Sequence, residues 1–238
     1  HLSELLIIDH STTLSEASGH TGGNSGMGGD FIYRWGNPQV YQGGSPSDQK
    51  LHLPHDGKWV NQGFPNAGKL TVFNNQGDGV STNSSVHVIA PEIVANVYQM
   101  NSNKYLPEDY QWSWTGSVLG QTFSESKKCG MMELENGNHL VCTTSNGSIF
   151  EIDQNDQVIW VYRNPSGPNN TIYQQNEVVP NNTNTIFRGE RYPTNFIGFV
   201  GKDLSPQGTI EDNNTETTNC ANTADLENLN QLRVSFEN

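Results

Sequence analysis

Chemistry in this chain rests on a few side chains. Seven histidines are present, and His55 is the best placed, because it precedes Asp56 at the head of an apolar strand. An imidazole beside a carboxylate suits nucleophilic or general-base work. The competing reading is a histidine that caps the strand or packs beside Trp59. Arg188 and Arg191 lie on or just after another strand, and with Lys128 they are candidate ligands for a substrate anion. Surface cations of no special role are the alternative. His20, with His10, flanks a glycine-rich loop from Gly19 to Gly29, which reads either as the rim of a site or as a plain connection. His87 and His139 alternate within strands and read as structural, as does Arg34.

Other chemistries find less support. No His/Cys spacing resembles a zinc site. Asp153-Gln154-Asn155-Asp156 lacks the length and glycine of a calcium loop and reads as a hairpin turn. No cofactor is expected. Three cysteines are too few, and odd in number, for a disulfide framework. Cys129 and Cys142 fall as diagonal rather than opposed neighbours on a hairpin, a placement that disfavours a bridge. The formal charge of −13 repels polyanions, so nucleic acid is excluded as a partner. A small anion remains possible where His, Arg and backbone N–H groups gather. No apolar run reaches the ~18 residues that a membrane span needs.

The elements that must position these groups come from an internal repeat. Three strands carry a central tryptophan: Phe31 to Pro38, Tyr110 to Gly116 and Val158 to Pro165. Each alternates apolar and polar residues, as a half-buried strand does. Each follows another apolar strand, at Leu5–Asp9, Val86–Ala90 and Ile149–Asp153. Further strands are expected at 69–73, 139–142 and 185–188, each after a turn rich in Asn or Gly. Innermost strands are expected near 56–60, 130–134 and 176–179.

The clearest unit, Lys128 to Pro165, is a four-stranded meander of about 38 residues, the size of a propeller blade. The sequence therefore predicts an all-β chain, a β-propeller of four-stranded antiparallel blades. It comprises a half blade at 4–37, blades at 51–116 and 127–165, and a half blade at 172–192. Residues 208–238 read as a polar linker leading to a further element near Leu232 to Phe236. About three blades' worth of strands does not close a ring of roughly four to eight. The remaining blades are expected upstream of His1, in a part of the protein that precedes this chain. A self-contained β-sandwich is the alternative fold.

Ile8-Asp9-His10-Ser11, the run Gly28-Gly29-Asp30-Phe31-Ile32-Tyr33-Arg34-Trp35-Gly36-Asn37-Pro38, His55-Asp56 and Val72-Phe73-Asn74-Asn75 together resemble the arylsulfotransferase family, in its secreted bacterial branch. The unit at 130–165 resembles that family's repeated blade. Arg188-Gly189-Glu190-Arg191-Tyr192 and Gly201-Lys202-Asp203-Leu204 resemble its closing region. The resemblance implies the C-terminal half of a six-bladed ring. It also implies transfer of a sulfuryl group from an aryl sulfate to a phenol through a histidine, with no nucleotide cofactor. His55 matches the family's histidine in a Gln-His-Asp pattern, although Pro54 precedes it here. Two departures stand against activity: no Arg follows Phe73-Asn74-Asn75, and the next innermost strand offers Lys127-Lys128 rather than a second histidine. Hence the alternative of a non-catalytic cell-surface binding propeller. A quinoprotein-type propeller fits only the unit around Trp160. The tail from Leu232 to Asn238 resembles the junction before a C-terminal sorting domain, which implies secretion machinery as a partner and a secreted or cell-surface location.

Overall fold

The computed structural model describes residues 2–206, 208 and 210. Among the described residues the chain is mostly β, with one four-residue helix, Leu14–Ala17, and no sheet closed into a barrel. The strands are β1 (Leu5–Ile8), β2 (Phe31–Trp35), β3 (Pro54–Trp59), β4 (Leu70–Asn74), β5 (Ser85–Ile89), β6 (Ile93–Val94), β7 (Val97–Tyr98), β8 (Met100–Asn101), β9 (Lys104–Tyr105), β10 (Trp112–Trp114), β11 (Ser117–Val118), β12 (Gln121–Thr122), β13 (Gly130–Glu133), β14 (His139–Cys142), β15 (Ser148–Ile152) and β16 (Val158–Arg163). Every strand pairing is antiparallel.

Two compact units are present. The first runs to Asn164 and adds Pro180–Pro193; the second has Pro165–Val179 and the described residues from Thr194 on. The second holds two short 3-10 turns, Pro168–Asn170 and Ile197–Phe199, and an edge contact between Phe196 and Phe199.

The first unit contains both expected meanders. Strands β3, β4, β5 and β10 form one four-stranded sheet, and β13 to β16 form the other. Asn-Gly turns at 136–137 and 146–147 join the strands of the second sheet, with both glycines at positive φ. Such turns match the right-handed twist of paired strands. β1 and β2 make a two-stranded sheet. The sheets stack in three layers, not the two of a simple sandwich. Tyr33, Trp35, Leu51, Leu70, Val72 and Ile89 fill the space between the β1–β2 pair and the first meander. Phe73, Val86, Trp114, Met131, Val141, Phe150 and Ile152 fill the space between the two meanders. Each such side chain contributes about 1.5–3 kcal/mol by leaving water.

Two features were not foreseen. The long connection from β5 to β10 folds into two miniature hairpins, β6–β7 and β8–β9, whose Tyr98 and Tyr105 pack on Tyr33. The expected strands at 176–179 and 185–188 do not form. Asn176 and Asn182 adopt left-handed φ of 65° and 63°, and Pro180 has no N–H to donate. Residues 180–193 instead form a strap along the second meander. Asn182 N–H donates to Ser145 O at 2.7 Å, and the Asn184 amide donates to Asn146 O and Asn164 O. Gly189 lies against Ile149 and Cys142. The expected half blade at 172–192 is thus a strap in its later part, while its earlier residues belong to the second unit. The element expected at 232–236, the linker from 211 on and Cys220 lie outside the described residues. Among the described residues, no helix is long and apolar enough to cross a membrane.

His87 and His139 are structural, as expected. His87 stacks on Tyr110 at 3.6 Å and meets Ser85 Oγ at 2.7 Å. His139 stacks on Trp112 at 4.1 Å. Burial holds both imidazoles neutral, with pKa about 3 for His87 and about 4 for His139, against the weaker opposing pull of Asp109 and Asp156. Because His139 is neutral, its 3.7 Å approach to Glu133 is no ion pair. An unfolded histidine titrates near 6.5, so the unfolded chain binds more protons below that pH. Stability is therefore full above about pH 6.5 and falls as acid is added, down to the folded pKa values. Urea unfolding at pH 7 and pH 5 should differ by about 4 kcal/mol from the two rings together. In His139→Gln that difference should shrink by about half; an unchanged difference would remove His139 from the account.

Candidate functional site

The two meanders meet where β13 of the second packs against β3 and β4 of the first. There Gly130 passes the buried carboxylate of Asp56, so closely that a Cβ on Gly130 would overlap it. Asp56 is the hub of a charged cluster. Lys58 Nζ lies 3.0 Å from its Oδ2, and Arg188 Nη1 lies 2.7 Å from its Oδ1. Lys58 follows an irregularity in the β3–β4 register between His55 and Lys58, where Asp56 itself has a left-handed φ of 56°. The strap supplies Arg188. Lys128, just ahead of β13, extends over the exposed Phe187 ring at 5.6 Å, and the Arg188 guanidinium lies over the same ring at 5.5 Å. Two cations thus pair with one carboxylate, and a third, Lys128, shares the Phe187 ring with one of them, in a chain of strongly negative charge. A second carboxylate nearby, Glu125, is buried and occupied by the Ser145 N–H at 3.1 and 3.2 Å.

The backbone here is strained. Leu53, Asp56, Lys128 and Cys129 all have φ between 55° and 72°. None is glycine, and each such residue costs of order 1–3 kcal/mol. Strain of this kind gathers where packing fixes a functional geometry.

His55 sits between two of these residues, paired with Phe73. Its Nδ1 lies 3.1 Å from Leu53 O. A carbonyl oxygen only accepts, so Nδ1 carries a proton, and in the neutral ring the lone pair is then on Nε2. That is the tautomer a nucleophilic imidazole needs.

The structure therefore brings Arg188 and Lys128 together at the Phe187 ring, with Arg188 paired to Asp56, the residue after His55 in the chain. It separates the other candidates. Arg191 pairs with Glu151 Oε2 at 3.0 Å and lines a different cleft of about 270 Å³ with Phe64, Met132 and Tyr192. His20 pairs with Asp30 at 2.8 Å, within a loop organised around the Asp9 and Glu16 carboxylates. Hydrogen bonds from Ser11 and Ser25 hold Asp9 far below the usual carboxylate range. Arg34 grips the Glu4 carboxylate through Nε and Nη2 rather than loop carbonyls. Cys129 and Cys142 are free thiols. Burial first, then the charge of Glu125, pushes both up to about 12, so neither is a thiolate at neutral pH. Among the described residues, no group of three or more His, Cys, Asp or Glu is arranged to hold a metal.

Asp56 as hub, Lys58 and Phe187 were not singled out in the sequence. Lys58 was legible, standing two residues from Asp56 on a strand. Phe187 was not, because the strap that carries it looks like a strand. No family model matches the chain, and no curated protein matches it.

The close approach is testable. Gly130→Ala should lower stability by about 2 kcal/mol or more, measured by urea unfolding. Adding Asp56→Ala should return at least about 1 kcal/mol of that loss. Strictly additive effects would mean that the two residues do not press on each other.

Proposed function

We propose that the stacked sheets are consecutive blades of a β-propeller and that the chain serves an arylsulfotransferase-like protein. The reaction moves a sulfuryl group from an aryl sulfate to a phenol. The observation that carries this reading is the pairing of Lys58 and Arg188 with Asp56, the residue that follows His55, together with the approach of Lys128 and Arg188 to one Phe187 ring. Cations of this kind offset charge on sulfuryl oxygens. In the first step His55 Nε2 attacks sulfur, an N–S bond forms, and the S–O bond to the aryl group breaks, releasing an aryl oxide. In the second step the phenol oxygen attacks sulfur, the N–S bond breaks, and the phenol's proton passes to the aryl oxide. Nothing is oxidised or reduced. The same reading calls for further blades to complete the ring, and for export to the cell surface by secretion machinery.

A second reading keeps the site but not the chemistry: a propeller that binds an aryl anion at the cell surface. One observation favours it. The head of the second innermost strand presents Lys128 where a second catalytic histidine would be useful.

The test is transfer from p-nitrophenyl sulfate to phenol by the full-length protein. His55→Ala should cut turnover by about 10³-fold or more. Arg188→Ala should lower kcat/KM by about 10²-fold with the fold intact. Unchanged turnover in His55→Ala would remove His55 from the mechanism. Saturable binding of the sulfate ester without turnover would select the binding reading.

A further inference from the structure

The turn between β3 and β4 holds an asparagine, a lysine and a buried carboxylate in mutual contact. Gly68 has a left-handed φ of 82°, and the Lys69 N–H donates to Asn66 O at 3.0 Å, so the chain reverses tightly between these two residues. Their side chains meet across the turn: Lys69 Nζ donates to Asn66 Oδ1 at 2.6 Å.

Glu133, on β13 of the second meander, grips the same asparagine. Its Oε1 accepts from the Asn66 backbone N–H at 2.8 Å, and its Oε2 accepts from Asn66 Nδ2 at 2.6 Å. A carboxylate only accepts and an ammonium only donates, so both partners fix the amide the same way round. Nδ2 faces Glu133 and Oδ1 faces Lys69. Gln111 Nε2, just ahead of β10, gives Oδ1 a second donor at 3.3 Å.

The surroundings are dry on the Glu133 side. The Glu133 side chain is wholly buried. The His139 ring, stacked on Trp112, stands beside it with Nε2 at 3.7 Å, and that nitrogen has no hydrogen-bond partner. The carboxylate therefore faces a neutral ring and the Asn66 amide, not a cation. Lys69 is half-buried and, among the described residues, pairs with no carboxylate, although acidic side chains outnumber basic ones 25 to 12.

We infer that Lys69 and Asn66 become joined by an isopeptide bond, with Glu133 as the proton carrier. Lys69 Nζ gives one proton to solvent and attacks Asn66 Cγ as the free amine. The Nζ–Cγ bond forms, and Gln111 Nε2–H offsets the charge that builds on Oδ1. Both nitrogens then share Cγ. Glu133, already on Nδ2, carries a proton to it from Nζ. The Cγ–Nδ2 bond breaks and ammonia leaves. One amide replaces another, and nothing is oxidised or reduced. An amide is a poor electrophile, and the gain comes from holding amine, carbonyl and proton carrier together in one place. The product pins the β3–β4 turn covalently while the Asn66 backbone N–H stays on Glu133. The inference stands apart from the sulfuryl-transfer reading, since no residue of the Asp56 cluster takes part.

Peptide mapping of the full-length protein, after prolonged incubation at neutral pH, tests it. The chymotryptic peptide that contains residues 66–69 should be about 17 Da lighter than its sequence, the mass of the ammonia lost. Trypsin should fail to cut after Lys69. In Lys69→Arg and in Glu133→Gln the peptide should keep its full mass. Lys69→Arg changes a half-buried turn residue and keeps its charge, and an unchanged urea midpoint will show that it folds; it decides the matter even if Glu133→Gln unfolds. A wild-type peptide of full mass, cut at Lys69, would overturn the inference. So would a mass loss that persists in Lys69→Arg, since Asn66 would then have cyclised on its own backbone. A link that forms equally in Glu133→Gln would overturn the site as drawn.

Discussion

The closest steric contact between the meanders, Gly130 against Asp56, governs much of what surrounds it. A strand passing that near a buried carboxylate tolerates no side chain. The carboxylate in turn must be matched by charge, because an unpaired buried ion is costly. Lys58 and Arg188 supply that match, and Arg188 brings the strap with it. The left-handed residues at the heads of β3 and β13 are the backbone's response to the same crowding. The candidate site is therefore also a structural joint, so substitutions there act on packing and on ligand binding together.

Buried carboxylates recur as fasteners between layers. Glu133 on β13 accepts from the Asn66 backbone and amide at 2.8 and 2.6 Å, tying the second meander to the β3–β4 turn of the first. The Glu125 backbone exchanges bonds with Ser84 and Asn75 of the first meander while its carboxylate holds Ser145 of the second. Glu151 accepts from Asn138 at 2.7 Å and from Arg191 of the strap. Part of the acidic excess is thus internal and committed to hydrogen bonds, where each lost partner leaves a desolvated charge behind. The remainder faces solvent, which leaves Lys58 and Arg188 at Asp56, with Lys128 on the neighbouring Phe187 ring, as a local exception to the field of the whole chain.

Strand positions were legible because period-two alternation and Asn-Gly turns are local signals, and the four strands from Gly130 to Arg163 are the clearest case. The strap was not legible. Thr185-Ile186-Phe187-Arg188 has the composition of a strand, but its conformation is set by Asn184 bonding to the second meander's turns, a tertiary event. For the same reason His55 and Lys128 could be selected by type and position, while Asp56 as their organiser could not. The miniature hairpins before β10 escaped notice because two-residue strands have no periodicity to read. Arg191 and His20 were selected by type, while the structure places them apart from Asp56, on Glu151 and Asp30.

Two indole hydrogen bonds have a direction along the chain: Trp35 Nε1 donates to Pro107 O and Trp114 Nε1 donates to Asp156 O. In both, the donor lies earlier in the chain than the loop that accepts its proton, by 72 residues for Trp35 and Pro107 and by 42 for Trp114 and Asp156. On a ribosome, each layer would emerge with its aromatic surface wet and remain so until the following layer's last turn had been made. Assembly would then advance from the amino end like a zip, each layer a template for its successor. A pause in translation just before Asp156 would leave the first meander folded yet sticky, and that is the moment when a holding chaperone would matter most.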